Sequence, residues 1–198
     1  MDWRVKAVVQ AALAVLPAGR VVNEALQRLV GKRRPGNLDR RIAGKQEEIR
    51  QMLQALAACG FEPAGKQVLE IGTGWSPFTA LYLSAHGARV TTIDLHRHLR
   101  STSATRRMVA GVLQPVREQG LLSPKRETAL QEFVSGSARV EGLLEDFEVR
   151  YIAPAPDDLL LKMPEHSLDL VFTLAVLEHV RPTDLEMRLA RQRRVRKP

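Results

Sequence analysis

The spacing of apolar residues changes period part-way along the chain, and that change divides it. Up to about residue 59 the spacing is helical. Val5, Val8, Val9, Leu13 and Leu16 mark one apolar face, and Ile42, Ile49, Met52, Leu53 and Leu56 mark another. Between them Gly31-Lys-Arg-Arg-Pro-Gly36 is a turn by composition, and Cys59-Gly60 offers a glycine end to the second helix. From Lys66 short apolar runs take over. Gln67-Val-Leu-Glu-Ile71 ends in glycines, as a buried parallel strand does. Phe78 to His86 reads as a helix closed by Gly87, and Arg89-Val-Thr-Thr-Ile93 as a β-branched strand ending at Asp94. Strand, helix and strand in so short a span predict a tight βαβ unit.

The interval from Leu95 to Asp146 is longer than a crossover requires, and its pattern is again helical. Met108, Val109, Val112, Leu113 and Val116 lie on one side, with Leu130, Phe133 and Val134 further on, and Gly120 and Pro124 divide it. An insertion of this kind serves as a lid or recognition element, or as extra helical packing, and the pattern favours neither. Glu148–Ile152 is a third strand candidate and Leu168–Thr173 a fourth, followed by a helix from about Pro182.

Composition narrows the class. An apolar share of 44% in 198 residues is enough for a folded core. The one cysteine, Cys59, excludes an internal disulfide framework and any multi-cysteine zinc site, and it agrees with a reducing cytoplasm as the expected location. No apolar run reaches the roughly 20 residues that span a bilayer. Ala7 to Ala18, behind Arg4 and Lys6, has the outline of a signal peptide, but Val21, Val22, Leu26 and Leu29 continue its helical rhythm, which favours an amphipathic helix. The net charge of +8 sits largely in Lys32–Arg34, Arg97–Arg107 and Arg188–Lys197. These clusters lack interleaved aromatic residues, so solvated helix faces explain them better than nucleic acid does. Weak peripheral contact with a membrane stays open; the oligomeric state is not encoded in any visible pattern.

The chemistry concentrates in Val68-Leu-Glu-Ile-Gly-Thr-Gly-Trp-Ser-Pro77. Two glycines after a strand allow a tight turn and close approach of a ligand to the backbone. Ser76 is suited to cap the following helix, with Pro77 at its first position. Two features argue against a dinucleotide site. The third glycine of the dinucleotide fingerprint falls on Pro77, and Glu70 sets a carboxylate where a pyrophosphate would be repelled. A ligand carrying an ammonium and a sulfonium would instead be attracted.

These residues resemble the first motif of class I S-adenosylmethionine-dependent methyltransferases, of form E/D-x-G-x-G-x-G. Glu70, Gly72 and Gly74 match it, with Ser76 in place of the third glycine. Asp94, 20 residues beyond Gly74 at the end of the second strand, suits ribose hydroxyls, although a helix N-cap is a competing use. Met163-Pro-Glu-His-Ser-Leu-Asp-Leu-Val-Phe-Thr-Leu-Ala-Val-Leu-Glu-His-Val180 is similar to the family's fourth-strand segment, with Leu168 for the usual Phe. Asp157-Asp158 falls where the family contacts the adenine amino group; spacing favours Asp158, and a solvated turn competes. Arg188 to Pro198 resembles the helix end before the family's fifth strand, so the chain is expected to stop short of the complete fold.

The resemblance covers Lys66 to Pro198 without the insertion. It implies an α/β fold: a Rossmann-like, doubly wound, mostly parallel sheet, partial here. A helical arm over 1–60 is expected to precede a cofactor-binding domain over 61–198, with its insertion at about 99–146. It also implies S-adenosyl-L-methionine as cofactor, held by Glu70, Gly72, Gly74, Asp94 and Asp158, and a small-molecule or lipid-linked methyl acceptor. The alternatives are a nicotinamide-dependent oxidoreductase and an inactive, binding-only product. No catalytic base stands out: Glu178 and His179 suit the turn after the fourth strand better than acid–base work. His96 and His98 lack the acidic or thiol companions of a metal site, and Trp75 suits either cofactor packing or sealing of the helix start.

Overall fold

The computed structural model of the chain describes residues 38–174 and 195–197. A division between two units falls between Arg41 and Ile42, and the sheet with all later elements lies in the second. The first described helix, α1 (Leu38–Ala58), ends as its glycine predicts: Gly60 takes φ +72°, and Phe61 N–H turns back to the Leu56 carbonyl at 3.0 Å. Then follow β1 (Gln67–Ile71), α2 (Phe78–Ala85) and β2 (Arg89–Ile93). The insertion forms α3 (Ser103–Glu118), α4 (Pro124–Ser135) and α5 (Val140–Asp146). It is followed by β3 (Arg150–Ile152), the single turn α6 (Leu159–Lys162) and β4 (Leu170–Thr173).

The four strands make one parallel sheet in the order β3-β2-β1-β4. The chain is thus α/β, with helices flanking an all-parallel sheet, an arrangement compatible with a Rossmann-like fold. After β3 the chain returns across the sheet to the far side of β1, so β1 and β4 are neighbours that lead in opposite directions. The carboxyl ends of such a strand pair form a crevice where ligands of open α/β sheets bind. Just before β4, Leu168 is bridged to residues 195–197: the Leu168 N–H donates to the Val195 carbonyl at 2.9 Å, and the Lys197 N–H donates to the Leu168 carbonyl at 2.7 Å.

Register fixes what each sheet face carries. Because β1 and β2 pair Leu69 with Thr91, Glu70 with Thr92 and Ile71 with Ile93, Leu69, Ile71 and Ile93 share one face, and Glu70 and Thr92 the other. On the first face Leu69, Ile93, Leu168 and Val195 form a buried cluster, with Leu159, Leu160 and Met163 of the α6 region against it. Elsewhere α2 is buried from Thr79 through Ala85, adjoining β2 on one side and α3 on another.

The insertion is a packed layer. Val109, Val112, Leu113, Val116, Leu130, Phe133, Leu143, Leu144 and Phe147 are each at most 2% exposed. Gly120 and Pro124 divide it as expected, with Ser123 capping α4. Arg126 ties it down, donating to the Ser84 carbonyl at 2.9 Å and the Phe147 carbonyl at 3.3 Å while lying 5.5 Å over the Phe147 ring. Two local expectations are corrected. Ser76 does not cap α2: Pro77 occupies the cap position with no side-chain bond, because the helix starts one residue later than the Ser-Pro pair suggests. The third strand begins at Arg150, since Glu148 turns left-handed at φ +56° and cannot extend the ladder. The helices expected before residue 38 and after Pro182 lie outside the described residues.

Candidate functional site

The turn after β1 is laced to the end of β2. Gly72 N–H donates to the Ile93 carbonyl at 2.8 Å, and Gly74 N–H donates to Asp94 Oδ2 at 2.9 Å. Gly72 and Gly74 stand at φ +90° and +66°, in the left-handed region that other residues avoid. A Cβ on Gly74 would meet nothing within 4 Å, so the glycine is required by the backbone and leaves an open approach above it. Glu70, Gly72, Gly74 and Asp94 are therefore brought together at the carboxyl ends of β1 and β2.

Beneath this turn runs a buried hydrogen-bond chain. Thr92 Oγ1 donates to Glu70 Oε2 at 2.7 Å and lies 2.5 Å from Thr73 Oγ1. With the Thr92 proton committed to the carboxylate, Thr73 is the donor to Thr92. Glu70, Thr73 and Thr92 are all buried. Burial pushes the Glu70 carboxyl up to about 7; the Thr92 hydrogen bond and the charge of Lys45 oppose this, and the charge of Asp94 adds to it. Among the described residues no Arg or Lys is hydrogen-bonded to Glu70; Lys45 is instead paired with Glu48 at 2.7 Å. A carboxyl buried without a bonded cation is costly, and such groups concentrate where ligands bind.

Asp94 keeps accepting capacity. Its Oδ2 takes the Gly74 N–H, while its Oδ1 is 3.5 Å from His96 N–H, too long for a strong bond. The segment after β3 adjoins it through Ala155 N–H, which donates to the Asp94 carbonyl at 2.8 Å. Asp158 lies further along that segment, at the start of α6. Its carboxylate is exposed and paired with Lys162 at 2.7 Å, which holds it below the usual aspartate range.

At the rim Trp75 is 41% exposed. Its ring is 5.2 Å from that of His98, and the Arg100 guanidinium lies 5.5 Å over it. His96 and His98 meet edge-on at 5.8 Å, and among the described residues no three His, Cys, Asp or Glu side chains gather to hold a metal. No described helix is long and apolar enough to cross a membrane. Glu178 and His179 lie outside the described residues.

Compared with protein-family models, curated proteins and solved structures, the chain matches none of them. Its site must be judged on its own chemistry. The donor set fits a ligand with a cationic end and a hydroxylated sugar: a buried carboxyl for the cation, a half-engaged carboxylate for the hydroxyls, and an open glycine turn between them. Sequence reasoning missed Thr73, Thr92 and Lys45. Thr92 faces Glu70 through the β1–β2 register, for which the sequence holds no local signal. Thr173, at the carboxyl end of β4, buries a hydroxyl that has no hydrogen-bond partner.

Proposed function

We propose that this protein transfers a methyl group from S-adenosyl-L-methionine to a small-molecule or lipid-linked acceptor, on a Rossmann-like, doubly wound sheet. The observation that carries the reading is Glu70: a buried carboxyl at the tip of β1, beneath a left-handed glycine turn, without a bonded Arg or Lys among the described residues. Its sign suits an ammonium and opposes a pyrophosphate, which sets the nicotinamide alternative lower. The bound cofactor supplies an activated methyl group on a sulfonium. The chain's task is binding and alignment: Glu70 takes the amino group, the Gly72–Gly74 turn admits the ligand to the backbone, Asp94 accepts from the ribose hydroxyls, and Asp158 is assigned to the adenine amino group.

Calorimetric titration of the full chain with S-adenosylhomocysteine tests this, with NADH as the competing ligand. Micromolar binding of the first and none of the second is expected. Glu70→Gln should weaken binding about tenfold or more, the factor that corresponds to a loss of 1.4 kcal/mol. Only the ionised carboxylate attracts a cation, and the group is half-protonated near pH 7. Affinity should therefore rise from pH 6 to pH 8 in the natural chain and stay flat in Glu70→Gln. Binding of NADH alone, or equal affinity in Glu70→Gln, would overturn the reading.

A further inference from the structure

The amino end of the sheet, opposite the glycine turn, carries a second polar constellation. Gln67 opens β1 and is the register partner of Arg89 on β2, and Thr91 is the partner of Arg150 on β3. Alternation along the strands sets these four side chains on one face, the face that carries Leu69 and Ile93. The α6 region packs against the apolar half of that face. The polar half borders a cavity of about 250 Å³, lined by the four residues with Val90 and Glu148.

Arg89 and Arg150 are both exposed, and strand spacing and rise set their Cα atoms about 8 Å apart, near enough for two guanidinium groups to converge on one anion. Among the described residues neither guanidinium has a hydrogen-bond or ion-pair partner, and nor do the Gln67 amide and the Thr91 hydroxyl. The one carboxylate on the cavity, Glu148, is already neutralised by Arg126 at 3.2 Å, which is itself anchored to the Ser84 and Phe147 carbonyls. Like charges close together on adjacent strands weaken a sheet unless an opposite charge joins them. Four donor groups and two positive charges thus face one cavity.

We propose that Gln67, Arg89, Thr91 and Arg150 bind a phosphate dianion at the amino end of the sheet, carried on a small molecule or as free inorganic phosphate. Guanidinium forks match phosphate oxygens in pairs, and the amide and hydroxyl donate to the oxygens that remain. Three acceptor oxygens and a charge near −2 suit two cations better than the single charge of a carboxylate does. The cavity is smaller than the roughly 300–1,000 Å³ of drug-sized ligand sites, which limits the occupant to a compact anion. The site lies at the other end of the strands from Glu70 and Asp94, so it stands or falls apart from the cofactor reading.

Calorimetric titration of the full chain with inorganic phosphate and with glycerol 3-phosphate, against sodium chloride at matched ionic strength, tests this. Saturable one-to-one binding is expected, with a melting temperature that rises with ligand concentration. Arg89→Gln and Arg150→Gln should each weaken binding about tenfold or more, and the double variant should abolish it. Arg150→Lys should recover part of the loss, since it keeps the charge without the fork. Arg107→Gln, at an exposed position on α3, should leave binding unchanged. Thermal melts of each variant without ligand report folding. Tighter binding of glycerol 3-phosphate supports the site and assigns it to a phosphorylated small molecule; equal or weaker binding than inorganic phosphate supports it and assigns it to the free ion. The proposal is overturned by no binding beyond the chloride control, by unchanged binding in Arg89→Gln and Arg150→Gln, or by an equal loss in Arg107→Gln.

Discussion

The insertion and the carboxyl end of the sheet bury comparable kinds of surface in opposite ways. In α3 to α5 the buried residues are almost all apolar, and Arg126 closes the layer by bonding two main-chain carbonyls. At the tip of β1 the buried groups are a carboxyl and two hydroxyls, under a turn held in the left-handed region. The first region is packed as an apolar interior, apart from Pro115 inside α3 and a buried Arg106 Nε without a hydrogen-bond partner; the second concentrates polar burial and left-handed backbone within a few residues. Local violations that the rest of a fold must support are where function is expected. The insertion's apolar stripes are buried among its own helices, with α3 set against α2 and α5 against β3.

That contrast is broken most forcefully by removing packing. Phe133→Ala deletes a ring that is 0% exposed, in the centre of the insertion. A cost of about 3–5 kcal/mol is expected, or roughly 8 °C or more in Tm. Urea denaturation measures it, and S-adenosylhomocysteine affinity of the remaining folded protein should not change. An unaltered midpoint with abolished ligand binding would make the insertion a recognition element instead.

Glu70→Gln should move stability the other way in the ligand-free protein. The folded carboxyl titrates near 7, above its unfolded value of about 4.3, so the folded state holds its proton more tightly. Its stabilising contribution is complete below pH 4 and is lost as pH rises through 7. At pH 8 the natural chain therefore carries an ionised buried carboxylate that the amide lacks. The shift corresponds to roughly 4 kcal/mol as an upper bound. Glu70→Gln should melt higher than the natural chain at pH 8, and the gap should narrow toward pH 5 and close below pH 4. Lower stability at both pH values would make Glu70 a structural member of the Thr73–Thr92 chain alone.

Much of this was legible in the sequence because strands and turns announce themselves locally. The run Gln67–Ile71, the glycines after it and the β-branched Arg89–Ile93 each carry their own signal, and the described sheet contains both strands. The helix end at Gly60 and the breaks at Gly120 and Pro124 were visible for the same reason. What was hidden depends on contacts between distant segments. Thr92 joins Glu70 only through strand register, and the close approach of Ile42 to Gly111 likewise exists only between distant segments. Ser76 failed as a cap because a good cap residue does not fix which residue starts the helix. Glu148 failed as strand because its left-handed turn is imposed by closure of α5, where its N–H bonds back to the Glu145 carbonyl at 2.9 Å.

The smallest expected effect sharpens the comparison at its least protected point. Asp158 is an exposed carboxylate paired four residues along its own helix turn with Lys162, a kind of pair that adds little to stability. Asp158→Ala should therefore leave the melting temperature unchanged within error. If its carboxylate receives the adenine amino group, S-adenosylhomocysteine affinity should nevertheless fall about threefold to tenfold, the loss of one good hydrogen bond. Lys162→Ala provides the control, since it frees Asp158 from its neighbour without removing the acceptor, and affinity should then hold or rise. Should Asp158→Ala change neither melting nor affinity, the carboxylate belongs to a solvated turn, and the site ends at Asp94. A loss of affinity without a loss of stability would show that ligand recognition extends from the buried tip of β1 onto a surface the fold does not need.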